Sequence, residues 1–325
     1  MIRFGVIGAG RITRTFADAI KTTDAELYAI ASRSQKKADT YKKDLGFTVA
    51  YGSYEAMLND PKVDVVYVAT PHGLHYEQMM MILDYNKAIL CEKAFTLNEK
   101  EAKAVFSKAK AKNVFVMEAM WSRFLPTVQQ VLKKVNEGII GEMIKLEATF
   151  FINANSSDDD RIFNINLGGG ALLDIGIYPL TFAHLFFGNP TKVMSNVEKH
   201  HTGVDITETI HYLYDNSEAV LKASFKKDES LDATLYGKHG KIHMPRFWMM
   251  EEAFIYDEND ELIETIHFPH QVNGFEYQIN EVIKRLTNNE IESKIMPHKT
   301  TLEILNQMDA LRATWKVTYP NEKKD

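Results

Sequence analysis

Short apolar runs alternate with amphipathic stretches over the first third of the chain. A short run rich in Val and Ile is typical of a buried strand, and apolar positions three or four apart indicate a helix. This alternation predicts a parallel, doubly wound sheet of the Rossmann type. The predicted strands cover residues 2–7, 26–32, 48–50, 63–69, 88–91 and 114–118, and the predicted helices cover 12–22, 36–45, 53–58, 75–85 and 98–112.

The pattern changes after residue 122. Strands now follow one another, separated by turn signals such as Asp215-Asn216, which predicts an open antiparallel sheet with helices on one face. We expect a Rossmann domain at residues 1–122 and a second, α+β domain at 123–325, with the last helix a candidate to pack back on the first domain. The predicted strands are 145–154, 192–197, 207–214, 219–225, 233–236, 241–244, 253–256 and 263–268, and the predicted helices are 126–137, 179–186, 275–287 and 300–319.

The face of this sheet that carries no helices has to be covered in another way. Leu221, Ala223 and Phe225 lie in one predicted strand and would supply apolar surface for a partner subunit. The sequence therefore predicts a homodimer formed through the open face of the second domain.

Composition narrows the range of functions. The 325 residues carry a net charge of −6 from intermixed signs, which argues against nucleic acid as a main partner. No run reaches the roughly 18 apolar residues of a membrane span, so no membrane segment is expected. The single cysteine, Cys91, excludes an internal disulfide framework and is expected to be buried and inert. With a strand at the N-terminus in place of a signal peptide, the sequence predicts a cytoplasmic protein.

The first strand ends in a glycine-rich turn. Gly8 allows a tight bend, and Gly10 leaves room for a phosphate beside the backbone. Arg11 and Ile12 begin a helix whose free N–H groups and positive dipole end point at the same place. The third glycine of the usual fingerprint is Thr13, so the match is incomplete, but the turn predicts a dinucleotide site.

The end of the second strand indicates which nicotinamide cofactor binds. NAD enzymes place an acidic residue there for the ribose hydroxyls, whereas this chain has Ser32 and Arg33, with Lys37 shortly after. A hydroxyl and a guanidinium suit a 2′-phosphate, because arginine donates two parallel hydrogen bonds. The alternative is a solvated loop with incidental charge; we predict NADP(H).

Four further segments carry candidate chemistry. Three of them follow successive predicted strands, and the carboxyl edge of an open α/β sheet is where ligands bind. The fourth opens a helix in the second domain and is expected to close over the same cleft. The segments are 70–75 (Thr-Pro-His-Gly-Leu-His), 92–94 (Glu-Lys-Ala), 118–123 (Glu-Ala-Met-Trp-Ser-Arg) and 168–179 (Gly-Gly-Gly-Ala-Leu-Leu-Asp-Ile-Gly-Ile-Tyr-Pro).

In combination these segments resemble the Gfo/Idh/MocA oxidoreductases over essentially the whole chain, and more narrowly the branch of dimeric dihydrodiol and NADP-linked D-xylose dehydrogenases. Residues 117–126, and Glu292-Ser293 followed by Met296-Pro297, add to the resemblance. It implies an NADP(H)-dependent oxidoreductase that acts on the CH–OH or carbonyl group of a sugar, cyclic polyol, trans-dihydrodiol or dicarbonyl.

The resemblance also implies roles for individual residues. Glu92-Lys93-Ala94 matches the family's Glu-Lys-Pro motif, with the proline replaced, and makes Lys93 the catalytic lysine. Tyr178 stands where most members have a histidine as general acid/base. The residues that the resemblance places along the nicotinamide end of the cofactor are Thr70, Pro71, His72, His75, Glu92, Lys93, Trp121 and Arg123.

Simple chemistry supports this assignment. Hydride transfer from a carbinol needs a group that exchanges the hydroxyl proton, and a nearby ammonium suits a tyrosine to this task by lowering its pKa. We predict that Tyr178 exchanges the proton, that Lys93 tunes and positions it, and that Asp174 orients the substrate or supports Lys93. Arg161, in a predicted loop at 153–163, is a candidate substrate contact or a neutraliser of its acidic neighbours.

Alternatives stay open for several features. His72 and His75 have the spacing of a metal pair, but without further ligands nearby we expect hydrogen-bonding roles and no metal. His200-His201 is expected at the surface. A solvated flank at a strand end could explain Lys93, and aromatic packing at a domain hinge could explain Trp121 and Arg123. Packing could also explain Tyr178, and helix capping could explain Asp174. For the whole protein, the alternatives are a non-catalytic NADPH sensor and an NAD-dependent glycosidase on the same fold.

Overall fold

The computed structural model describes residues 1–322. They form two compact units, Met1–Trp121 with His270–Leu302 and Ser122–Pro269 with Glu303–Asn321. Each unit contains one large sheet. The first break falls one residue before the predicted boundary, because Ser122 lies in the second unit. The larger difference is that residues 270–302 lie in the first unit, whereas the sequence analysis assigned them to the second domain.

The first unit begins with six strands that alternate with five helices. These are β1 (Ile2–Ile7), α1 (Arg11–Ile20), β2 (Ala25–Ala31), α2 (Gln35–Leu45), β3 (Val49–Tyr51), α3 (Tyr54–Leu58), β4 (Val65–Val68), α4 (His75–Asp84), β5 (Ala88–Glu92), α5 (Glu99–Lys112) and β6 (Val116–Ala119). All paired strands are parallel, in the order β3-β2-β1-β4-β5-β6. The predicted doubly wound sheet is confirmed, and the strand order reverses between β1 and β4.

In this unit, the burial of the central strands and the capping of three helices fit the parallel, doubly wound sheet. Every residue of β4 and β5 is buried, as expected for central strands covered by helices on both faces. Ser34, Ser53 and Asn98 each accept a hydrogen bond from the backbone N–H three residues further on. These caps fix where α2, α3 and α5 begin.

The second unit is built on an eight-stranded sheet. Its elements are α6 (Pro126–Asn136), β7 (Met143–Phe151), α7 (Ile177–Phe187), β8 (Lys192–Lys199), β9 (Asp205–Leu213), β10 (Glu218–Ser224), β11 (Ala233–Gly237), β12 (Gly240–Met244), β13 (Glu252–Asp257) and β14 (Leu262–His267). The order is β14-β13-β12-β11-β7-β10-β9-β8, antiparallel throughout except for β7 and β10. The parallel pair arises because the chain crosses through α7 to the sheet edge, and the β8–β9–β10 meander then returns beside β7.

A π-helical turn, Leu172–Gly176, precedes α7. The helix predicted at 179–186 therefore starts earlier than expected, because the glycines at 168–170 and 176 are poor helix formers and obscured its beginning. The segment Ile165–Phe187 is long and apolar enough to cross a membrane by length and composition, and an 18-residue window within it has a mean hydropathy of 1.4. Of that window, 78% is buried inside the protein, as in a core helix.

The two faces of the second sheet differ. Along β9 and β10 buried residues alternate with more exposed ones, and α7 contacts β7 and β10. Leu221, Ala223 and Phe225 are all buried in the core of this unit. The expectation that these three supply apolar surface for a partner was therefore wrong.

Two helices complete the chain, α8 (Phe275–Thr287) and α9 (His298–Trp315). α8 packs against α1, and the Asn273 side chain donates to the carbonyl of Thr15 at 2.9 Å. These contacts explain why residues 270–302 belong to the first unit. The later part of α9 belongs to the second unit, where Trp315 Nε1 donates to Ser195 Oγ at 2.9 Å.

Candidate functional site

The turn between β1 and α1 combines a tight bend with open space at the start of the helix. Gly8 has a φ of +108°, and a Cβ there would lie 2.6 Å from the carbonyl oxygen of Ala69. Gly10, the N-cap of α1, has a φ of −115°, and the nearest atom to a Cβ would be 3.9 Å away. In the described part of the chain no side chain caps α1. The space at Gly10 and the uncapped N–H groups therefore fit an anionic group.

Thr13 occupies the third position of the glycine fingerprint. Its hydroxyl donates to the carbonyl oxygen of Gly8 at 2.6 Å, and its side chain is buried. This hydrogen bond keeps the turn closed, although a threonine takes the place of the third glycine. Arg11 is exposed and Ile12 is half-buried at the start of α1.

The carboxyl end of β2 gathers polar groups in one place. Ser32 is buried, and its hydroxyl accepts a hydrogen bond from the N–H of Ser34 at 3.3 Å. Ser34 in turn caps α2 by accepting from the N–H of Lys37. Arg33 is exposed and acts on Tyr54: burial raises the pKa of Tyr54, and the Arg33 cation opposes that rise. A hydroxyl, a guanidinium and the N-terminus of α2 therefore follow one another directly after β2.

Two buried carboxylates hold the turn that carries Lys93. The hydroxyl of Tyr67 donates to Glu92. Glu118 accepts from the N–H of Phe95 at 3.1 Å and from the hydroxyl of Thr301 at 2.8 Å. The Lys93–Ala94 peptide bond is cis.

The same turn is held by the two histidines. His72 Nε2 lies 3.1 Å from the carbonyl oxygen of Lys93. His75 Nδ1 lies 3.0 Å from the carbonyl oxygen of Ala94, and its Nε2 lies 2.8 Å from that of Thr70. These contacts favour the hydrogen-bonding interpretation of the pair. They also join the loop after β4 to the loop after β5, at the sheet edge predicted to bind ligands.

Three other residues of this unit complete the picture. Cys91 is fully buried in β5, where burial raises the pKa of its thiol, as expected for an inert cysteine. Thr70 donates through its hydroxyl to Gln78 at 2.6 Å. Trp121 is buried, with its ring centroid 5.0 Å from that of Phe275, so the packing alternative and the cofactor prediction both stand for it.

The remaining candidates lie in the second unit. Arg161 makes a two-pronged ion pair with Asp174, at 3.1 and 3.2 Å, so it does not simply neutralise the adjacent aspartates. Asp174 lies within the π-helical turn, 8% exposed, which places it beyond the N-cap position. Tyr178 is 5% exposed, with its ring 5.5 Å from that of Phe150. Arg123 also belongs to this unit, and its carbonyl accepts from Gln129.

The sequence analysis did not identify two buried acids, Asp205 and Glu208, that lie against the Leu172–Gly176 turn. Asp205 accepts a hydrogen bond from the N–H of Leu172 at 2.6 Å, and burial raises its pKa to about 6. Burial also raises the pKa of Glu208, whose carboxyl finds no hydrogen-bond partner among residues 1–322. A signal was present: Glu208 interrupts the alternating apolar positions Ile206 and Ile210 of β9.

Two family models match the chain. Residues 2–120 match an oxidoreductase family with an NAD-binding Rossmann fold, and residues 128–243 match the Gfo/Idh/MocA C-terminal domain. The two matches fall in order along the chain. The first spans all six strands of the parallel sheet, and the second spans the other sheet from β7 to most of β12.

Whole-chain relatives point the same way. A trans-1,2-dihydrobenzene-1,2-diol dehydrogenase of Xenopus tropicalis is 30% identical, over 98% of this chain and 99% of that protein. A D-xylose 1-dehydrogenase (NADP(+)) of Hypocrea jecorina is 30% identical, over 98% and 93%. The solved structure of KijD10, a 3-ketoreductase from Actinomadura kijaniata with NADP and TDP-benzene, aligns with a TM-score of 0.86 at 26% identity, over 96% and 97%.

The fold, the turn at Gly8 and Gly10 and these matches define a nicotinamide-dinucleotide-dependent oxidoreductase. The chain belongs to the Gfo/Idh/MocA family. The predicted family, fold class, enzyme class and cofactor type are thereby confirmed.

Proposed function

We propose that this protein transfers a hydride between NADP(H) and a secondary alcohol or carbonyl of a sugar, cyclic polyol, trans-dihydrodiol or dicarbonyl. The observation that carries the proposal is the full-length similarity to dihydrodiol and D-xylose dehydrogenases. This chain has Lys93 and Tyr178 at the two positions to which the sequence analysis assigned the proton step.

NADP(H) is favoured over NAD(H) by the end of β2. Ser32 and Arg33 offer a hydroxyl and a guanidinium to a 2′-phosphate. The end of this strand carries no acidic residue that would repel the phosphate. The full set of proposed cofactor contacts is Gly8, Gly10, Arg11, Ile12, Ser32, Arg33, Lys37, Thr70, Pro71, His72, His75, Glu92, Lys93, Trp121 and Arg123.

We assign the transfer of the proton to the protein's own side chains. When bound, a nicotinamide would supply hydride to the carbonyl carbon or accept hydride from the carbinol carbon. We propose that the hydroxyl of Tyr178 gives a proton to the substrate oxygen during reduction and takes it back during oxidation. The Lys93 ammonium donates a hydrogen bond to the same oxygen and stabilises its developing negative charge.

Asp174 and Arg161 are proposed to orient the substrate. Their ion pair is two-pronged, so it fixes the plane of the carboxylate as well as its position. Hydroxyl groups of a sugar or diol could donate to the oxygens of Asp174 and accept from Arg161.

Solved KijD10 structures include one variant with a tyrosine replaced by phenylalanine and one with a lysine replaced by alanine, the residue types assigned here to the proton step.

An absorbance assay of the purified protein at the nicotinamide band tests the proposal. NADPH is offered with sugars, osones and aromatic dicarbonyls, and NADP⁺ with aldoses, inositols and cyclic diols. Turnover with one group supports the proposal and names the substrate class. Tight NADPH binding without turnover across both panels would favour the sensor. Cleavage of glycosides without net change in the cofactor would favour the glycosidase.

We also propose a cytoplasmic homodimer that associates through the sheet face opposite α7. By strand alternation this face carries Thr209, His211 and Val220, which are half-buried. Sedimentation equilibrium of the wild type at micromolar concentration tests the dimer. A double charge substitution, Thr209→Glu with Val220→Glu, is expected to yield a monomer, and a monomeric wild type would contradict the proposal.

A further inference from the structure

A cluster of three metal-ligating side chains lies in the second unit, apart from the residues assigned to the oxidoreductase reaction. Asp158, His200 and His201 each offer one ligand atom, and these atoms all lie within 4.8 Å of one another. His201 Nε2 is 2.6 Å from one oxygen of the Asp158 carboxylate, and His200 Nε2 is 3.8 Å from the other. Two imidazoles therefore converge on a single carboxylate.

The surroundings hold the His200 ring in this orientation. Its Nδ1 lies 3.1 Å from the hydroxyl of Thr202, and the ring stacks on Phe163 with centroids 4.6 Å apart. The backbone of the turn is closed by hydrogen bonds from His200 N–H to Val204 and from Gly203 N–H to His200. When Nδ1 donates a hydrogen bond to the Thr202 hydroxyl, the lone pair of Nε2 is available to a metal, as is common in metal-ligating histidines.

Two imidazole nitrogens and one carboxylate oxygen suit a borderline divalent metal. Zn²⁺ takes such ligands at about 2.0–2.2 Å, which places neighbouring ligand atoms about 3.4 Å apart in a tetrahedron. The two spacings to Asp158, 2.6 and 3.8 Å, lie on either side of that value. All three ligand atoms lie within 4.8 Å of one another, so metal binding would require side-chain rotations that bring them to the tetrahedral spacing. Asp158 and His201 are exposed, which leaves coordination positions for water. A hard cation such as Mg²⁺ would prefer an all-oxygen set.

We propose that Asp158, His200 and His201 bind a divalent transition metal, with Zn²⁺ as the best fit. Asp158 lies in the 153–163 segment and the histidines lie in the 200–203 turn, so the bound metal joins these two stretches. Arg161, which pairs with Asp174, belongs to the same segment. Metal binding therefore restrains the segment that carries a proposed substrate contact.

Calorimetric titration of the full chain with Zn²⁺ tests the site. We expect one Zn²⁺ per chain with saturable binding, and Co²⁺ in its place is expected to give the absorption bands of a tetrahedral nitrogen–oxygen site. His201→Ala and Asp158→Asn should each abolish that binding, and Thr202→Val should weaken it about tenfold through loss of the hydrogen bond to His200. His239→Ala, at another exposed histidine, is the control and should bind as the wild type does. Equal binding by the wild type and His201→Ala, or no saturable binding by the wild type, would overturn the proposal.

Hydrogen exchange provides a second readout that needs no substrate. Saturating Zn²⁺ is expected to slow amide exchange over residues 155–163 in the wild type but not in His201→Ala. Unchanged exchange in the wild type would contradict the restraint even if the metal binds. Neither experiment measures turnover, so their failure is distinguishable from failure of the proposed oxidoreductase activity.

Discussion

Two glycine-rich turns open helices in this protein, and they end in opposite ways. In the first, Gly8 has a φ of +108° and the N-terminus of α1 carries no side-chain cap within the described chain. In the second, Gly170 has a φ of +121°, and the carboxylate of Asp205 accepts the N–H of Leu172. The first turn leaves its N–H groups for an external anion, whereas the second is occupied by an acid of the protein.

The difference teaches that glycine before a helix does not by itself identify an anion site. What decides is whether an acidic residue from elsewhere in the chain reaches the helix N-terminus. Asp205 lies 33 residues beyond Leu172, so no local motif reveals it. We propose that the first turn binds the cofactor, whereas the second positions Asp174 and Tyr178. Substitutions at the two turns should therefore have separable effects.

The largest effect is expected at Tyr178, in the helix that follows the second turn. Tyr178→Phe removes the proposed proton donor and should lower turnover by about 10²–10⁴-fold, the usual contribution of general acid–base catalysis. NADPH affinity, measured by fluorescence titration, should stay unchanged because the ring is retained. Tyr212→Phe, at another buried tyrosine of this unit, is the matched control and should keep its turnover. Equal losses in both variants would contradict the role of Tyr178.

The next largest effect is expected when the first turn is made to resemble the second. Gly10→Asp places an acid at the N-cap of α1, where the φ of −115° suits it. The helix should be preserved or stabilised, while NADPH affinity falls roughly a hundredfold because the carboxylate takes the N–H groups and repels the diphosphate. Gly10→Asn, which can cap α1 without adding a charge, should lose less NADPH affinity. Retained NADPH binding in Gly10→Asp would show that this turn does not hold the diphosphate.

A pH dependence of stability is expected at the second turn. Burial raises the pKa of Asp205 to about 6, so folding favours its protonated form, and that stability is lost as the pH rises from about 4 through 6. Asp205→Asn keeps an acceptor for Leu172 but cannot ionise. Its free energy of unfolding, relative to the wild type, should therefore rise by about 2–3 kcal/mol between pH 4 and pH 7. Denaturant unfolding of both proteins across this range measures it, and a constant difference would contradict the account.

The smallest effect concerns cofactor choice. Arg33→Ala should weaken NADPH about tenfold and leave NADH affinity nearly unchanged, because only NADPH carries the phosphate that the guanidinium would bind. Lys42→Ala, at the far end of α2, serves as the control. Equal loss of both cofactors would mean that Arg33 does not read the 2′-phosphate.

The sequence predicted the first unit more completely than the second. Buried strands, the turn at Gly8 and the polar end of β2 are all local signals. The structure forms the predicted parallel sheet from these strands, with the turn and the polar end of β2 at its carboxyl edge. The bracing of the Lys93 loop could not be predicted, because it joins His72 and His75 to carbonyl groups about twenty residues away.

In the second unit, all eight strands were predicted because each alternates or runs apolar between turn signals. Side-chain placement was harder. Leu221 and Ala223 were expected on the open face, but a one-residue shift decides which face a strand residue takes. The Arg161–Asp174 pair and the cap by Asp205 depend on contacts between separate elements, which periodicity does not encode.

Transfer of deuterium from NADPH labelled at the nicotinamide C4 tests the central claim most directly. The purified protein is incubated with the labelled cofactor and the carbonyl panel, and the products are analysed by mass spectrometry. We expect deuterium at the new carbinol carbon of one substrate class, with oxidation of an equal amount of NADPH. Label that stays in the bound cofactor across the whole panel would contradict an NADP(H)-dependent oxidoreductase and favour a sensor.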